Sequence, residues 1–214
     1  MRNPTVEKLQ AFEEDIRQCY LAARIRAPIH LRSGLETELI KIFEEVEEHD
    51  PVFAYWASHL HCLLKGVPPE RVKEEILKGN SISLCFPEHG VYCSGIAGSL
   101  AGVAVGKALA LKRRGVAPFQ GGERPSGVPH VWLFTGDMAA ECGGFHEAVK
   151  YAHNFELPIT FVVEDNGVSV LTDTRATWGS QEAWFVGTPY ASRIRHFRYE
   201  NGFPHSGVSV RVAF

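Results

Sequence analysis

Residues 136–170 read GDMAAECGGFHEAVKYAHNFELPITFVVEDNGVSV. A Gly-Asp pair, Gly136-Asp137, closes the apolar run 131–134. The periodicity then predicts an amphipathic helix over 142–155, a second apolar run over 159–163, and a polar turn, Glu164-Asp165-Asn166-Gly167. Strand, acidic turn, helix, strand and polar turn form a parallel β-α-β unit, and both turns fall at the carboxyl ends of neighbouring strands. Open α/β sheets bind ligands at that edge. Asp137 and Asn166 are therefore expected close in space. A carboxylate and an amide oxygen are hard donors that suit Mg²⁺, or Ca²⁺, better than a soft metal. A Mg²⁺ ion held by so few side chains completes its shell with water and phosphate oxygens. Taken singly, Asp137 can equally cap a helix, and Asn166 can equally enter a left-handed turn before Gly167.

Composition sets the outer limits. A chain of 214 residues is one ordinary domain, with or without an appendage. The hydrophobic share of 45 % is enough for a sizeable core. A net charge of −3 argues against an electrostatic nucleic-acid binder. Five cysteines, an odd number without a Cys-x-x-Cys pair, suit reduced thiols in a cytoplasmic protein. The ten histidines form no HExxH zinc motif. The first fifteen residues carry acids where a signal peptide needs an apolar core. The most apolar stretch, 95–111, is short and contains Lys107, so it reads as a buried helix and not as a membrane span.

Outward from the opening stretch, helices are expected over 5–24 and 34–48, making residues 1–49 a helical appendage to an α/β domain at 50–214. Two further helices are expected in 50–79, broken at Gly66 and restarted at Pro68-Pro69. Residues 80–94 read as a loop on the ligand side. There His89, beside Glu88, is a catalytic candidate or an ordinary surface histidine. A helix rich in Gly and Ala opens at Gly95, and its small residues allow close approach by a flat ligand or by another helix. Residues 115–129 are a Gly- and Pro-rich surface excursion. Beyond Val170, loops at 172–179, a short helix over 181–186, a strand over 194–200 and an irregular tail are expected.

At Gly136, Asp137 and Asn166, somewhat under thirty residues from Asp to Asn, the sequence resembles the thiamine-diphosphate motif. The likeness is to alpha subunits of 2-oxo acid dehydrogenases of the pyruvate and branched-chain type. It is strongest at 130–170, good at 56–111 and weak elsewhere. It implies a three-layer α/β fold, a parallel sheet with helices on both faces. It assigns the metal to Asp137, Asn166 and the backbone carbonyl of Val168, and cofactor contacts to Gly136, Asp137, Met138 and Ala139. The aromatic-Arg-x-His turn of that family falls on Trp56-Ala57-Ser58-His59. The resemblance makes Trp56 a diphosphate contact and puts His59 near the active centre, although a structural histidine fits His59 equally. Ala57 stands where the family has Arg, which removes a charge-assisted phosphate contact. His61 and Lys65 are candidates to replace it. A Gly-Ile-Val-Gly stretch that meets the aminopyrimidine falls on Gly95-Ile96-Ala97-Gly98, with Gly95 and Ala97 making the contact. Met138 replaces a common Gly, and Glu141 stands where Asn is usual. His205-Ser206 weakly resembles a His-Ser pair of a later loop and carries no assignment.

The resemblance further implies thiamine diphosphate with Mg²⁺ as cofactors and a small 2-oxo acid, or a ketose, as substrate. The glutamate that meets the aminopyrimidine belongs, in that family, to a separate pyrimidine-binding domain. Only one α/β domain fits here, so a beta-type subunit is expected to carry that domain in an α2β2 assembly. A transketolase-like ketol or acyl transferase subunit and a non-catalytic subunit are the alternatives. A nucleotide-binding protein is disfavoured, because neither GxGxxG at a strand-helix junction nor a P-loop occurs.

Overall fold

A computed structural model describes residues 4–117 and 126–213. Two amphipathic helices come first, α1 (Val6–Leu21) and α2 (Glu36–Phe43). Leu9, Ile16, Leu35 and Leu39 lie fully buried on their inner side, as helical spacing of apolar residues requires. Strand β1 (Val52–Tyr55) follows, then α3 (His59–Leu64) and α4 (Pro69–Leu77). Pro69 starts α4 where its missing N–H costs nothing, and Gly79, at φ 95°, ends the segment in a left-handed turn. A hairpin of β2 (Cys85–Phe86) and β3 (Val91–Ser94) leads to α5 (Leu100–Arg113). The deciding stretch supplies β4 (Val131–Gly136), the single turn α6 (Asp137–Ala140), α7 (Gly143–Asn154) and β5 (Ile159–Asp165). A miniature hairpin, β6 (Val168–Ser169) with β7 (Thr172–Asp173), runs into α8 (Thr174–Trp178), and β8 (Ile194–Arg198) closes the sheet.

The main sheet has the order β2-β3-β1-β4-β5-β8. Only β2 runs antiparallel to its neighbour. Side chains alternate across it. In β4, Trp132 and Phe134 enter the core shared with α1 to α4, while Val131 and Leu133 enter the core shared with α5 and α7. Covered on both faces, β4 and β5 read as continuous apolar runs. This is the expected three-layer α/β architecture. Residues 4–49 share one core with β1 and β4, so they pack as a layer against that face of the sheet.

Three local expectations fail. The central strand β1 was expected within a helix. Val52-Phe53-Ala54-Tyr55 is buried on both faces, and a four-residue apolar run lacks the alternation that distinguishes strand from helix. Residues 80–94 form a hairpin and two 3₁₀ turns rather than one loop; only the ends, at 80–83 and Ser94, lie at the ligand edge, and the turn at 87–90 lies at the opposite one. The short helix expected over 181–186 is a series of turns, and the helical turn lies earlier, at α8. The excursion over 115–129 falls mostly outside the described residues.

At the amino edge of the sheet, the fully buried Asp50 carboxylate ties the layers together. Oδ1 accepts from His130 N at 2.9 Å, and Oδ2 accepts from Glu47 N at 2.9 Å and Trp132 Nε1 at 3.2 Å. Asp50→Ala strands three donors in the interior and is expected to cost about 3 kcal/mol of stability. Urea denaturation measures this, and a loss under about 1 kcal/mol would show that the donors find other partners.

Candidate functional site

The strands β1, β3, β4, β5 and β8 run parallel, so their carboxyl ends share one edge. The register pairs Gly136 with Glu164, which sets Asp137 and Asn166 side by side just beyond. The connection from β1 leaves toward the α3 and α4 side and that from β4 toward the α7 side, opening a crevice between them. A shallow cleft lies there, lined by Tyr55, Ser94, Gly98 and Thr135 among others. A larger, more open cleft adjoins Asn166, Val168, Tyr199, Asn201 and His205.

One end of the Asn166 amide lies 3.3 Å from Asp137 Oδ1 and 2.9 Å from the Val168 carbonyl oxygen. With nitrogen at that end, the amide donates to both. With oxygen there, three oxygens converge on one point. The amide orientation is a matter of what occupies that point. Asp137 is buried, and its Oδ2 has no hydrogen-bond partner. Thr174 lies beside it, but its hydroxyl also completes no bond. Burial lifts the Asp137 carboxyl above its ordinary pKa, against the opposing pull of Thr174 and the Arg175 charge.

Asp165 holds the loop that carries Asn166 and Val168. Its Oδ2 takes Arg175, His196 at 2.8 Å and Arg198 at 3.3 Å, and Oδ1 takes Gly167 N at 2.9 Å. Burial works to raise its pKa, but the His196 bond and the Arg175 charge outweigh it and hold the carboxylate ionised. Arg175 also reaches Glu141 at 3.9 Å, so the residue standing in place of the usual Asn belongs to this network. Met138 sits in the ordinary helical turn α6, so its side chain meets no backbone obstacle, and its sulfur faces Trp178 Nε1 at 3.1 Å. Gly136 and Ala139 flank Asp137 at the start of that turn.

The other expected residues divide. Trp56 follows β1 at the same edge, its buried Nε1 without a partner and its ring near those of His30 and His205. Gly95 and Ala97 lie exposed just past β3, ahead of α5, which begins at Leu100 and not at Gly95. His59 is buried with both ring nitrogens engaged, Nδ1 with Glu13 at 3.2 Å and Nε2 with Ser81 at 2.8 Å. No ring nitrogen is left to act on a ligand, and the geometry is that of a structural histidine. His89 belongs to the turn between β2 and β3, one residue before Gly90, whose carbonyl accepts from Val52 N at the start of β1. The antiparallel β2 carries the chain back to the amino edge there, so His89 is at the wrong end of the sheet for this site. Neither proposed substitute for the missing Arg reaches the cleft. His61 donates to the buried Glu164 at 2.7 Å, and Lys65 donates to the carbonyls of Glu47 and Glu48 near the amino edge.

The sequence reading missed Arg32, Arg175, His196 and Tyr199, and it assigned nothing to His205. His205 Nδ1 accepts from Val170 N at 3.0 Å, while its carbonyl accepts from His30 Nδ1 at 2.7 Å. Burial drives the His30 pKa down to about 4, so it is neutral at ordinary pH. The weak His-Ser likeness at 205–206 was the one available signal.

Comparison with known proteins shows the family. The model of the dehydrogenase E1 component family matches residues 5–191, and the chain belongs to that family. It is 29% identical over 174 residues to the alpha subunit of acetoin:2,6-dichlorophenolindophenol oxidoreductase from Cupriavidus necator, covering 77% of this chain and 49% of that protein. It is 30% identical over 166 residues to the chloroplastic pyruvate dehydrogenase E1 component subunit alpha-3 of Oryza sativa subsp. japonica, covering 72% and 38%. A pyruvate dehydrogenase E1 component subunit alpha from Rickettsia bellii is 26% identical over 175 residues, 77% and 50% of the two chains. The matched region spans half or less of these relatives' length. Among the described residues, no helix is long and apolar enough to cross a membrane.

The Asp165 network carries a test of its own. Asp165→Ala breaks a buried charge cluster and is expected to destabilise the loop 166–178 by about 3 kcal/mol. Hydrogen exchange should then quicken at the Gly167 and Thr174 amides, while Val163 inside β5 stays protected. Unchanged exchange at Gly167 would mean that the loop is held by other contacts.

Proposed function

We propose that this chain is the alpha-type subunit of a thiamine-diphosphate- and Mg²⁺-dependent 2-oxo acid dehydrogenase, completed by a beta-type subunit in an α2β2 assembly. The observation that carries the reading is the convergence of Asp137 Oδ1, the Asn166 amide and the Val168 carbonyl at the carboxyl edge. Adjacent ligands of an octahedral ion with bonds of 2.0–2.1 Å lie about 2.9 Å apart. Separations of 2.9 and 3.3 Å fit that edge once the amide oxygen is turned inward. The partnerless Asp137 Oδ2 supports the same assignment. The site uses one carboxylate, one amide and one carbonyl, a donor set suited to an ion that keeps water and phosphate oxygens in its shell.

Thiamine diphosphate, when bound, supplies a carbanion-stabilising ylid, and the protein supplies orientation and electrostatics. Asp137, Asn166 and Val168 would hold the metal and through it the diphosphate. Gly136, Met138 and Ala139 surround that end. Gly95 and Ala97 would meet the aminopyrimidine through their backbone, with Trp56 near the diphosphate. Asp165 and Arg175 keep the metal-bearing loop in place. A 2-oxo acid is the substrate class this reading implies. A beta-type partner is supported by the exposed apolar residues beside the cleft, Ile96 and Val103, and by the named alpha subunits among the relatives. The five free cysteines support a reducing compartment such as the cytoplasm.

Calorimetric titration with thiamine diphosphate and Mg²⁺, on the chain alone and with a co-expressed beta-type protein, tests the reading. Asp137→Ala and Asn166→Ala each remove a metal ligand and are expected to weaken binding at least about 100-fold. Removing Mg²⁺ with a chelator should abolish binding. Association with the partner without any cofactor binding would favour a non-catalytic subunit. Binding that survives both substitutions would sink the assignment.

A further inference from the structure

Arg32 is a buried cation without a counterion in reach. Its side chain lies between the rings of Tyr55 and Tyr199, 5.3 and 5.9 Å from their centroids. Only 6 % of the residue is exposed. Nη1 donates to the Tyr199 hydroxyl at 2.7 Å, and Nε is buried with no partner. A guanidinium has five N–H donors, and a neutral phenol is the one acceptor it reaches among the described residues. The two carboxylates whose charge it feels, Glu164 and Glu13, are outside ion-pair distance. Each is already committed, Glu164 to Tyr55 and His61, and Glu13 to His59. The guanidinium therefore makes no ion pair, and one kept buried without a direct partner for its charge points to an anion that arrives from outside.

The direction is given by Tyr199. It follows β8 directly, its amide bonds the Asp165 carbonyl at 3.0 Å, and its side chain lines the open cleft with Asn166 and Val168. The phenol that fixes the guanidinium thus stands on the wall of the cleft where the Asp137–Asn166 oxygens converge. Burial lowers the pKa of the nearby His30 and His205, and Arg32 adds to that effect. Ala57, buried beside the cleft, offers no charge.

We propose that Arg32, aimed by Tyr199, is the phosphate-binding cation of this site and stands in for the charge that Ala57 lacks. The identification of the phosphate group as the diphosphate of thiamine diphosphate rests on the function proposed above. The preference for a phosphate-type anion does not. A guanidinium sandwiched by two phenol rings presents its planar edge to an oxyanion and forms paired, charge-assisted bonds.

The test uses the full chain with its partner and three variants, Arg32→Met, Arg32→Lys and Tyr199→Phe. The probes are Mg²⁺ with inorganic pyrophosphate, Mg²⁺ with thiamine diphosphate, and thiamine without phosphate. Melting temperature and calorimetric affinity are read. Without ligand, Arg32→Met is expected to melt near the wild-type temperature, because it removes one hydrogen bond and no ion pair. It should bind Mg-pyrophosphate at least about tenfold more weakly, with thiamine binding unchanged. Arg32→Lys should recover part of the affinity. Tyr199→Phe, which keeps the ring and loses only the aiming bond, should weaken pyrophosphate by a few-fold while folding normally. A fall of several degrees in the ligand-free Arg32→Met protein, together with wild-type pyrophosphate affinity in Arg32→Lys and Tyr199→Phe, would make Arg32 purely structural and overturn the inference. Wild-type protein that takes pyrophosphate but not thiamine diphosphate would overturn the cofactor reading, and the variant series would still decide Arg32. Wild-type protein that binds neither would overturn both.

Discussion

The site depends on the register between β4 and β5. Six consecutive pairs, from Val131 with Ile159 to Gly136 with Glu164, fix where each strand stops. A slip of one residue would exchange the faces of β5, turning Phe161 and Val163 from one core into the other. It would also move Asn166 by about 3.3 Å relative to Asp137. That is as large as the whole separation between the Asn166 amide and Asp137 Oδ1. The packing that makes the sheet stable is therefore the same constraint that sets the donor geometry. Parallel pairing of β1 and β8 on either side carries Trp56 and Tyr199 to the same edge without any further instruction.

Charge at this edge is arranged in compensated units. Asp165 is surrounded by Arg175, His196 and Arg198, and Glu164 by Tyr55 and His61. Both carboxylates are buried, and each is met by donors. Asp137 and Arg32 break the pattern. One presents an oxygen, and the other a nitrogen, that no described residue satisfies. Native interiors rarely leave such groups open, and an exception calls for a reason. These two groups have opposite sign and lie toward the same edge of the sheet. On the proposed reading a metal ion would answer the first and a phosphate group the second, the pairing a metal-bound diphosphate would present.

The central β-α-β unit was legible because three signals agreed over 131–166. Two apolar runs of strand length, an amphipathic period between them and polar turns after each run allow few other folds. β1 was not legible, since Val52-Phe53-Ala54-Tyr55 is too short to show a period and is buried on both faces. His89 was misplaced for a topological reason. A two-residue antiparallel strand, β2, sent the following turn to the opposite edge, and nothing in the local text announces so short a reversal. Arg32, Tyr199 and His205 were invisible for yet another reason. Arg32 meets Tyr199 across 167 residues and His30 meets His205 across 175. Contacts of that span follow from the closing of the sheet by β8 and leave no local pattern. His59 had a motif behind it, but the motif does not say that Glu13 of α1 would occupy one of its nitrogens.

The cleft is lopsided in a way that bears on assembly. At the β4–β5–β8 end it is crowded with ionisable groups. At the β3 end, Gly95, Ile96 and Ala97 bring only backbone and an exposed isoleucine side chain. Acid-base chemistry needs a titratable group within hydrogen-bond reach of the reacting atom, and these three residues have none to give. The small residues of α5 continue the same bare surface, with Gly102, Val103 and Gly106 all exposed. A lone domain gains nothing from showing an apolar, glycine-lined face beside its own cleft, and burial against a partner would remove that exposure. On the proposed reading, the same contact that covers α5 would bring the missing acid to the open end of the cleft. Partner binding and completion of the active site would then be one event.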